Sequence, residues 1–241
     1  MMRRAAYDDC SEEYLAMLGD GESFESDSIL GRVTFELFDI VGDPEGREIL
    51  DAGCGEGYLS RILAKRGATV TAIDISSRLV AAARSRAQAL AIDYTVADLS
   101  EPQPHLAGHF DLVVSQLVLN DVEDHEGYVR TIADSLKPAG RVALSLNNPY
   151  SAVRREKARS YFEPGPPVIY QGMASLGVRV PFYHRTMEQY VAAFCGCGLL
   201  LRRLRDIRLD GPPHEGTRDR TEVPALMVLE LVKPQTTVSS G

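Results

Sequence analysis

Three aspartates and three glycines carry the most direct chemistry in this chain. Asp51 closes the apolar run Ile49-Leu50 and is followed by Gly53-x-Gly55-x-Gly57. Asp74 closes the β-branched run Thr69 to Ile73, and Asp98 closes Ile92 to Ala97. Glycines at alternate positions let the backbone adopt angles closed to other residues and approach a ligand closely. A helix beginning at Tyr58 would aim free N–H groups at the same place. An acid at Asp51 repels a pyrophosphate and attracts an ammonium group, directly or through water.

The glycine spacing also differs from the G-x-G-x-x-G fingerprint of dinucleotide sites, whose third glycine serves helix packing. Asp74 stands where both ribose hydroxyls could donate to it, Asp98 could accept from an adenine amino group, and Ile75 offers an apolar surface to the ring. A ligand with adenine, ribose, no phosphates and a cationic amino-acid tail satisfies all of these positions, and S-adenosyl-L-methionine has that composition. Two other classes stay open. One is a nicotinamide-dependent oxidoreductase, which Asp51 disfavours; the other is a non-catalytic module that binds an adenosine cofactor.

These residues need strands that end at one level and helices that return the chain. From Glu48 onward the sequence alternates accordingly, with a strand from Ile49 that stops in the glycine turn and further strands at 69–75, 92–98, 110–115 and 141–146. Helices are expected over 58–64, 78–90 (with Ser76-Ser77 as the cap), and 126–136. Repeated βα units imply a parallel, doubly wound Rossmann-like sheet of the α/β class with right-handed crossovers. Before it, 11–18 and 28–41 read as helices lying over one sheet edge, from which Tyr7 and Tyr14 either pack in the core or reach a ligand. Residues 148–183, rich in proline and aromatic residues, break the rhythm and read as a substrate lid. A capped helix from Thr186 and two strands, 199–207 and 224–232, pairing as an antiparallel edge hairpin, complete the plan. The expected organisation is a single domain over 1–241: a helical cap at 1–46, a cofactor-binding core at 47–147, the lid at 148–183, and the last helix and hairpin at 184–235.

With Ile49 to Gly57, Ala72 to Ser76, Val96 to Leu99, Phe110 to Ser115 and Leu136 to Gly140 in this order, the sequence resembles the class I S-adenosylmethionine-dependent methyltransferases, closely over residues 47–147 and more loosely beyond. Its nearest flavour is the small-molecule kind of quinone biosynthesis and antibiotic tailoring. The resemblance implies a seven-stranded sheet whose last strand is antiparallel, with the methionine end of the cofactor at Asp51, Gly53 and Gly55. It implies ribose at Asp74, adenine against Ile75 with Asp98 and Leu99, and backbone contacts near Ser115 and Gln116. Many such enzymes carry a histidine where this chain has Asn120-Asp121, which makes Asn120 the candidate polar group there. His184, in a Tyr-His-Arg run that the resembling enzymes often share, is the first candidate base, and Tyr14 is the third candidate catalytic side chain. A base is needed only if the acceptor must lose a proton, and the reference pKa of a histidine side chain, about 6.5, suits proton transfer. Fixing the lid by hydrogen bonds is the competing role for His184 and Arg185.

Composition narrows the partners. A formal net charge of -8 over 241 residues disfavours phosphate backbones and anionic membranes. The four cysteines form no C-x-x-C pair, and His105 with His109 lacks the helical context of a metal pair, so no metal is expected. Neither a signal peptide nor a membrane span is read, and the expected setting is cytoplasmic, with a small-molecule methyl acceptor as partner. A homodimer is compatible with the same plan.

Overall fold

β1 (Glu48–Ala52) is buried from Ile49 onward, and its side chains alternate between two cores, Ile49 in one and Leu50 in the other. Burial on both faces is what a central parallel strand requires, since helices must cover each side. The computed structural model describes residues 5–19, 29–153, 158–163, 165–169, 173, 176–207 and 223–235.

Around β1 the sheet is built from β2 (Thr69–Asp74), β3 (Ile92–Val96), β4 (Phe110–Gln116), β5 (Leu136–Asn147), β8 (Leu200–Ile207) and β9 (Leu226–Val232), in the spatial order β3-β2-β1-β4-β5-β9-β8. The first five are mutually parallel, and β9 runs antiparallel to both of its neighbours. The final hairpin is therefore inserted with its second strand inward: β9 pairs with β5, and β8 forms the edge. Burial decides this order, because β9 (Leu-Met-Val-Leu-Glu-Leu-Val) is buried and almost wholly apolar whereas β8 (Leu-Leu-Arg-Arg-Leu-Arg-Asp-Ile) carries three arginines and is exposed along most of its length.

One core lies under α3 (Ile29–Val41), α4 (Tyr58–Lys65) and α5 (Ser77–Ala87); the other lies under α6 (His125–Ser135) and α8 (Met187–Gly196). The sequence places α3 over a sheet edge, but it packs flat on β4, β5 and β9. Val33, Leu37, Ile40 and Val41, spaced along one helical stripe, are all essentially buried there. Local signals set the helix starts. The Ser76 hydroxyl accepts from Leu79 N, Asp124 accepts from Gly127 N, and Thr186 with Gln189 forms a reciprocal capping box.

Two short helices, α1 (Ala6–Asp9) and α2 (Ser11–Leu18), lie at the carboxyl ends of the strands. Asp8 ties them to the start of α5 by accepting from Ser76 Oγ (2.5 Å) and Arg78 N (3.1 Å), which places an anion at a helix N-terminus. Cys10, Tyr7 and Tyr14 pack against Val178 and Val180 of the 148–183 segment. That segment also contributes α7 (Pro149–Ala152), capped by Asn148, and a two-stranded ribbon of β6 (Val168–Ile169) and β7 (Pro181–Phe182).

Candidate active site

Strand order reverses direction of growth at β1, with β2 on one side and β4 on the other, and a crevice must open at their carboxyl ends. A cavity of about 610 Å³ lies there, roofed by Tyr7, Tyr14 and Met17 from the N-terminal helices and by Met173 and Val180 to Tyr183 from the segment after α7.

Its floor is the glycine turn. Gly53 N and Cys54 N both donate to Ile73 O (2.8 and 3.0 Å), which bends the chain sharply back onto β2. Gly53 and Gly57 have φ of +76° and +81°; a methyl at Gly53 would stand 2.4 Å from Val118 Cγ2, and one at Gly57 would stand 2.4 Å from the Tyr94 hydroxyl. Only glycine fits at either position.

The three acids occupy the wall in order. Asp51 is 2% exposed and accepts from Ser60 Oγ at 2.5 Å; burial, only partly offset by that hydrogen bond, pushes its carboxyl up to about 7. Asp74 accepts from Gly55 N and Ser76 N, each at 2.8 Å, and desolvation nonetheless raises its pKa. Asp98 Oδ1 takes the N–H and hydroxyl of Ser100. Glu56, not expected as a site residue, also lines the cavity. Its Oε2 is held by Arg61 and Arg86, while its buried Oε1 has no hydrogen-bond partner among the described residues. An orphaned carboxylate oxygen beside Asp51 and Asp74 fits a cationic ligand group and opposes a phosphate.

Of the residues singled out in the sequence, Asp51, Gly53, Gly55, Asp74, Ile75, Asp98, Leu99 and Tyr14 all line the cavity. Ser115 does not: strand alternation turns its hydroxyl into the core, 2.7 Å from the Tyr128 hydroxyl, so Gln116 and Leu117 face the cavity instead. Asn120 is also off the lining. Its Nδ2 donates to the Tyr190 hydroxyl (2.9 Å) and its Oδ1 accepts from Asn147 N (2.8 Å), which spends both ends of the amide on scaffolding. His184 is 5% exposed and off the lining as well, its Nε2 lying 3.0 Å from Tyr161 O. Neither of these two is placed to exchange a proton with anything in the cavity.

Next to them is a pair that the sequence does not announce. The Tyr7 hydroxyl donates to Asp121 Oδ2 at 2.8 Å across the cavity mouth, with the Tyr14 ring set edge-on to Tyr7 at 5.0 Å. The turn carrying Asp121 is rigidly held. Asp121 N donates to Val118 O, Tyr183 N donates to Asn120 O, and the Arg185 guanidinium donates to the carbonyls of Leu119, Val122 and Glu123. A separation of 114 residues between Tyr7 and Asp121 leaves no spacing signal to find.

Comparison with known proteins agrees with this arrangement. Residues 50–144 match the family described as a methyltransferase domain. Over 121 residues the chain is 40% identical to the ubiquinone biosynthesis O-methyltransferase of Xanthomonas axonopodis pv. citri, a stretch covering 49% of this chain and 51% of that protein. The chain thus spans about half the length of the curated relatives it matches. Among solved structures, an S-adenosylmethionine-dependent methyltransferase from Mesorhizobium loti superimposes with a TM-score of 0.64 at 22% identity, over 82% of this chain and 95% of that one. The cyclase SpnF superimposes with a TM-score of 0.68 at 18% identity, over 95% of this chain and 94% of that one. At these identities the two structures establish the fold.

Proposed function

We propose that this chain, whose residues 50–144 match the family described as a methyltransferase domain, is a class I enzyme that transfers a methyl group from S-adenosyl-L-methionine to a nucleophile on a small organic molecule. The observation that carries the reading is the row of carboxylates, Asp51, Asp74 and Asp98, at successive strand ends along one cavity wall, with the glycine turn beneath them. Asp51 suits the ammonium group, Asp74 the ribose hydroxyls, and Asp98 with Ile75 and Leu99 the adenine. Gly53 and Gly55 bring the backbone close to the methionine end, and Gln116 and Leu117 take the contacts that the sequence assigns to the neighbourhood of Ser115.

When bound, the cofactor supplies a sulfonium methyl already activated for displacement, so the protein's work is alignment and exclusion of water. Tyr7, Tyr14, Met173 and Phe182 do the excluding, since together they roof the cavity. That roof suits a metabolite better than a macromolecule, and the net charge of -8 disfavours nucleic acid and anionic membranes as partners. No helix among the described residues is long and apolar enough to cross a membrane, and we place the protein in the cytoplasm. Similarity to the ubiquinone O-methyltransferases supports a small acceptor. Since it extends over half of each chain, the acceptor itself is not carried across with it.

The cyclase of the same fold keeps a second reading open, in which the cofactor fold serves another purpose. Calorimetric titration with S-adenosylmethionine and with a nicotinamide dinucleotide, followed by assay for S-adenosylhomocysteine release on an acceptor panel, tests the proposal. Binding of the sulfonium cofactor with turnover supports it; preference for the dinucleotide overturns it.

A further inference from the structure

The cavity holds one polar pair on its roof side that the cofactor's chemistry does not require: Tyr7 from α1 and Asp121 from the turn after β4. Val118, which opens that turn, lies against Gly53, so the pair stands at the methionine end of the cradle rather than at the adenine end by Asp98 and Leu99. Asn120, Arg185 and Tyr183 fix the turn by the hydrogen bonds given above. This scaffolding presents the Asp121 carboxylate to a part of the cavity also lined by Tyr14, Val122, Glu123, Phe182 and Tyr183. Aromatic walls around an acid anchored by a tyrosine are what a protic, ring-sized acceptor needs to be held and relieved of a proton.

We infer that Asp121 takes the proton of a hydroxyl or amine acceptor, with Tyr7 as the positioning residue that fixes the carboxylate; the inference rests on the chain being a methyltransferase. As the oxygen or nitrogen lone pair forms its bond to the methyl carbon, the O–H or N–H proton moves to the Asp121 carboxylate. The carbon–sulfur bond breaks with its electron pair going to sulfur, which leaves a neutral thioether, and Asp121 returns its proton to solvent. Tyr7 stays the donor of the pair because desolvation, reinforced by the charge of Asp121, raises its pKa well above the ordinary value. The carboxylate is therefore the member able to accept.

The test uses the full chain, with a panel of phenols, catechols and primary amines as acceptors. Asp121→Asn should lower kcat about 100-fold, the range of general-base contributions, with S-adenosylmethionine affinity unchanged within twofold. The loss should shrink along substituted catechols as the acceptor becomes more acidic, from 4-methylcatechol to 4-nitrocatechol, since an ionised acceptor needs no base. Asp121→Glu should recover part of kcat, and Tyr7→Phe should lower kcat about tenfold with little change in KM. Independently of turnover, calorimetry in the presence of S-adenosylhomocysteine should show wild type preferring catechol over its dimethyl ether, a preference that Asp121→Asn abolishes. Wild-type kcat in Asp121→Asn, or a loss equal across all acceptor acidities, overturns the role of the pair while leaving methyl transfer intact. Cofactor binding without turnover of any panel member removes the proposed function and this inference together.

Discussion

Burying Asp51 with no counter-ion among the described residues has a cost that a cationic ligand relieves, and the two effects can be measured against each other. With its carboxyl at about 7 instead of the ordinary 3.8, Asp51 is half protonated near neutrality in the absence of cofactor. Binding an ammonium group beside it requires the ionised form and lowers its pKa, so binding releases a proton. The affinity for S-adenosylmethionine should then rise with pH through this region and flatten above it. For a group titrating at about 7, the ionised fraction falls about tenfold from pH 8 to pH 6, a loss of about 1.4 kcal/mol per factor of ten. Stability without cofactor runs the other way. The folded state binds more protons than the unfolded chain between 3.8 and about 7, so the stability contributed by Asp51 is full below that window and lost as pH rises through it. Asp51→Asn keeps an oxygen to accept from Ser60 and removes the charge. It should raise the pH 8 stability of the cofactor-free protein by an amount on the order of 1 to 3 kcal/mol, while weakening cofactor binding and abolishing its pH dependence. Calorimetry in two buffers of different ionisation enthalpy counts the released proton, expected at about half per site at pH 7. A flat affinity from pH 5 to pH 8 in wild type, or the same slope in Asp51→Asn, would refute the reasoning.

Asp74→Ala removes the acceptor for Gly55 N and Ser76 N as well as for the ribose, and should weaken cofactor binding by roughly 1 to 3 kcal/mol; unchanged affinity by calorimetry would contradict the ribose assignment. His184→Ala should lower the melting temperature through loss of the bond to Tyr161 O, by about 1 kcal/mol of stability, and leave the pH–rate profile in place. A lost acidic limb in that profile would restore His184 as a base. Gly53→Ala drives a methyl into Val118 at an already positive φ and should cost about 2 to 4 kcal/mol with loss of cofactor binding. Gly55→Ala, whose methyl would meet nothing within 4 Å, should cost only about 1 kcal/mol. Equal melting temperatures for the two variants would show that the Val118 contact does not matter.

Whatever depends on neighbours along the chain is legible in this sequence. The strand ending at Asp51, the glycine turn, the acids closing β2 and β3, and the caps at Ser76 and Thr186 are all local patterns, and the structure places the three acids with Gly53 and Gly55 on one cavity. Legibility fails where the partner is distant or the element short. α1 has 4 residues, and β6 and β7 have 2 each, too few to show a period. Tyr7 and Asp121 meet only because the N-terminal helices fold back over the sheet. His184 and Asn120 lie off the cavity lining for a related reason. Residue type suggests proton chemistry, but whether a side chain faces the cavity or its scaffold depends on packing; here Asn120 bonds Tyr190 of α8 and Asn147 of β5, and His184 bonds Tyr161 O. The inward position of β9 follows from its almost wholly apolar sequence, which hairpin logic alone overlooks. Residues 208–222, with His214, lie outside the described part.

The place of β9 has a bearing on how the protein is made. Among the described strands it is the last to leave the ribosome, yet it sits between β5 and β8 and pairs with both. While residues 148–225 are being synthesised, at about 5–20 residues per second and so for roughly 4 to 16 s, the nascent chain carries β5 as an open, apolar edge. Such an edge is a template for pairing with other chains. Translation that pauses or stops in this interval leaves a half-sheet with its sticky side exposed, and the demand for chaperones should peak there.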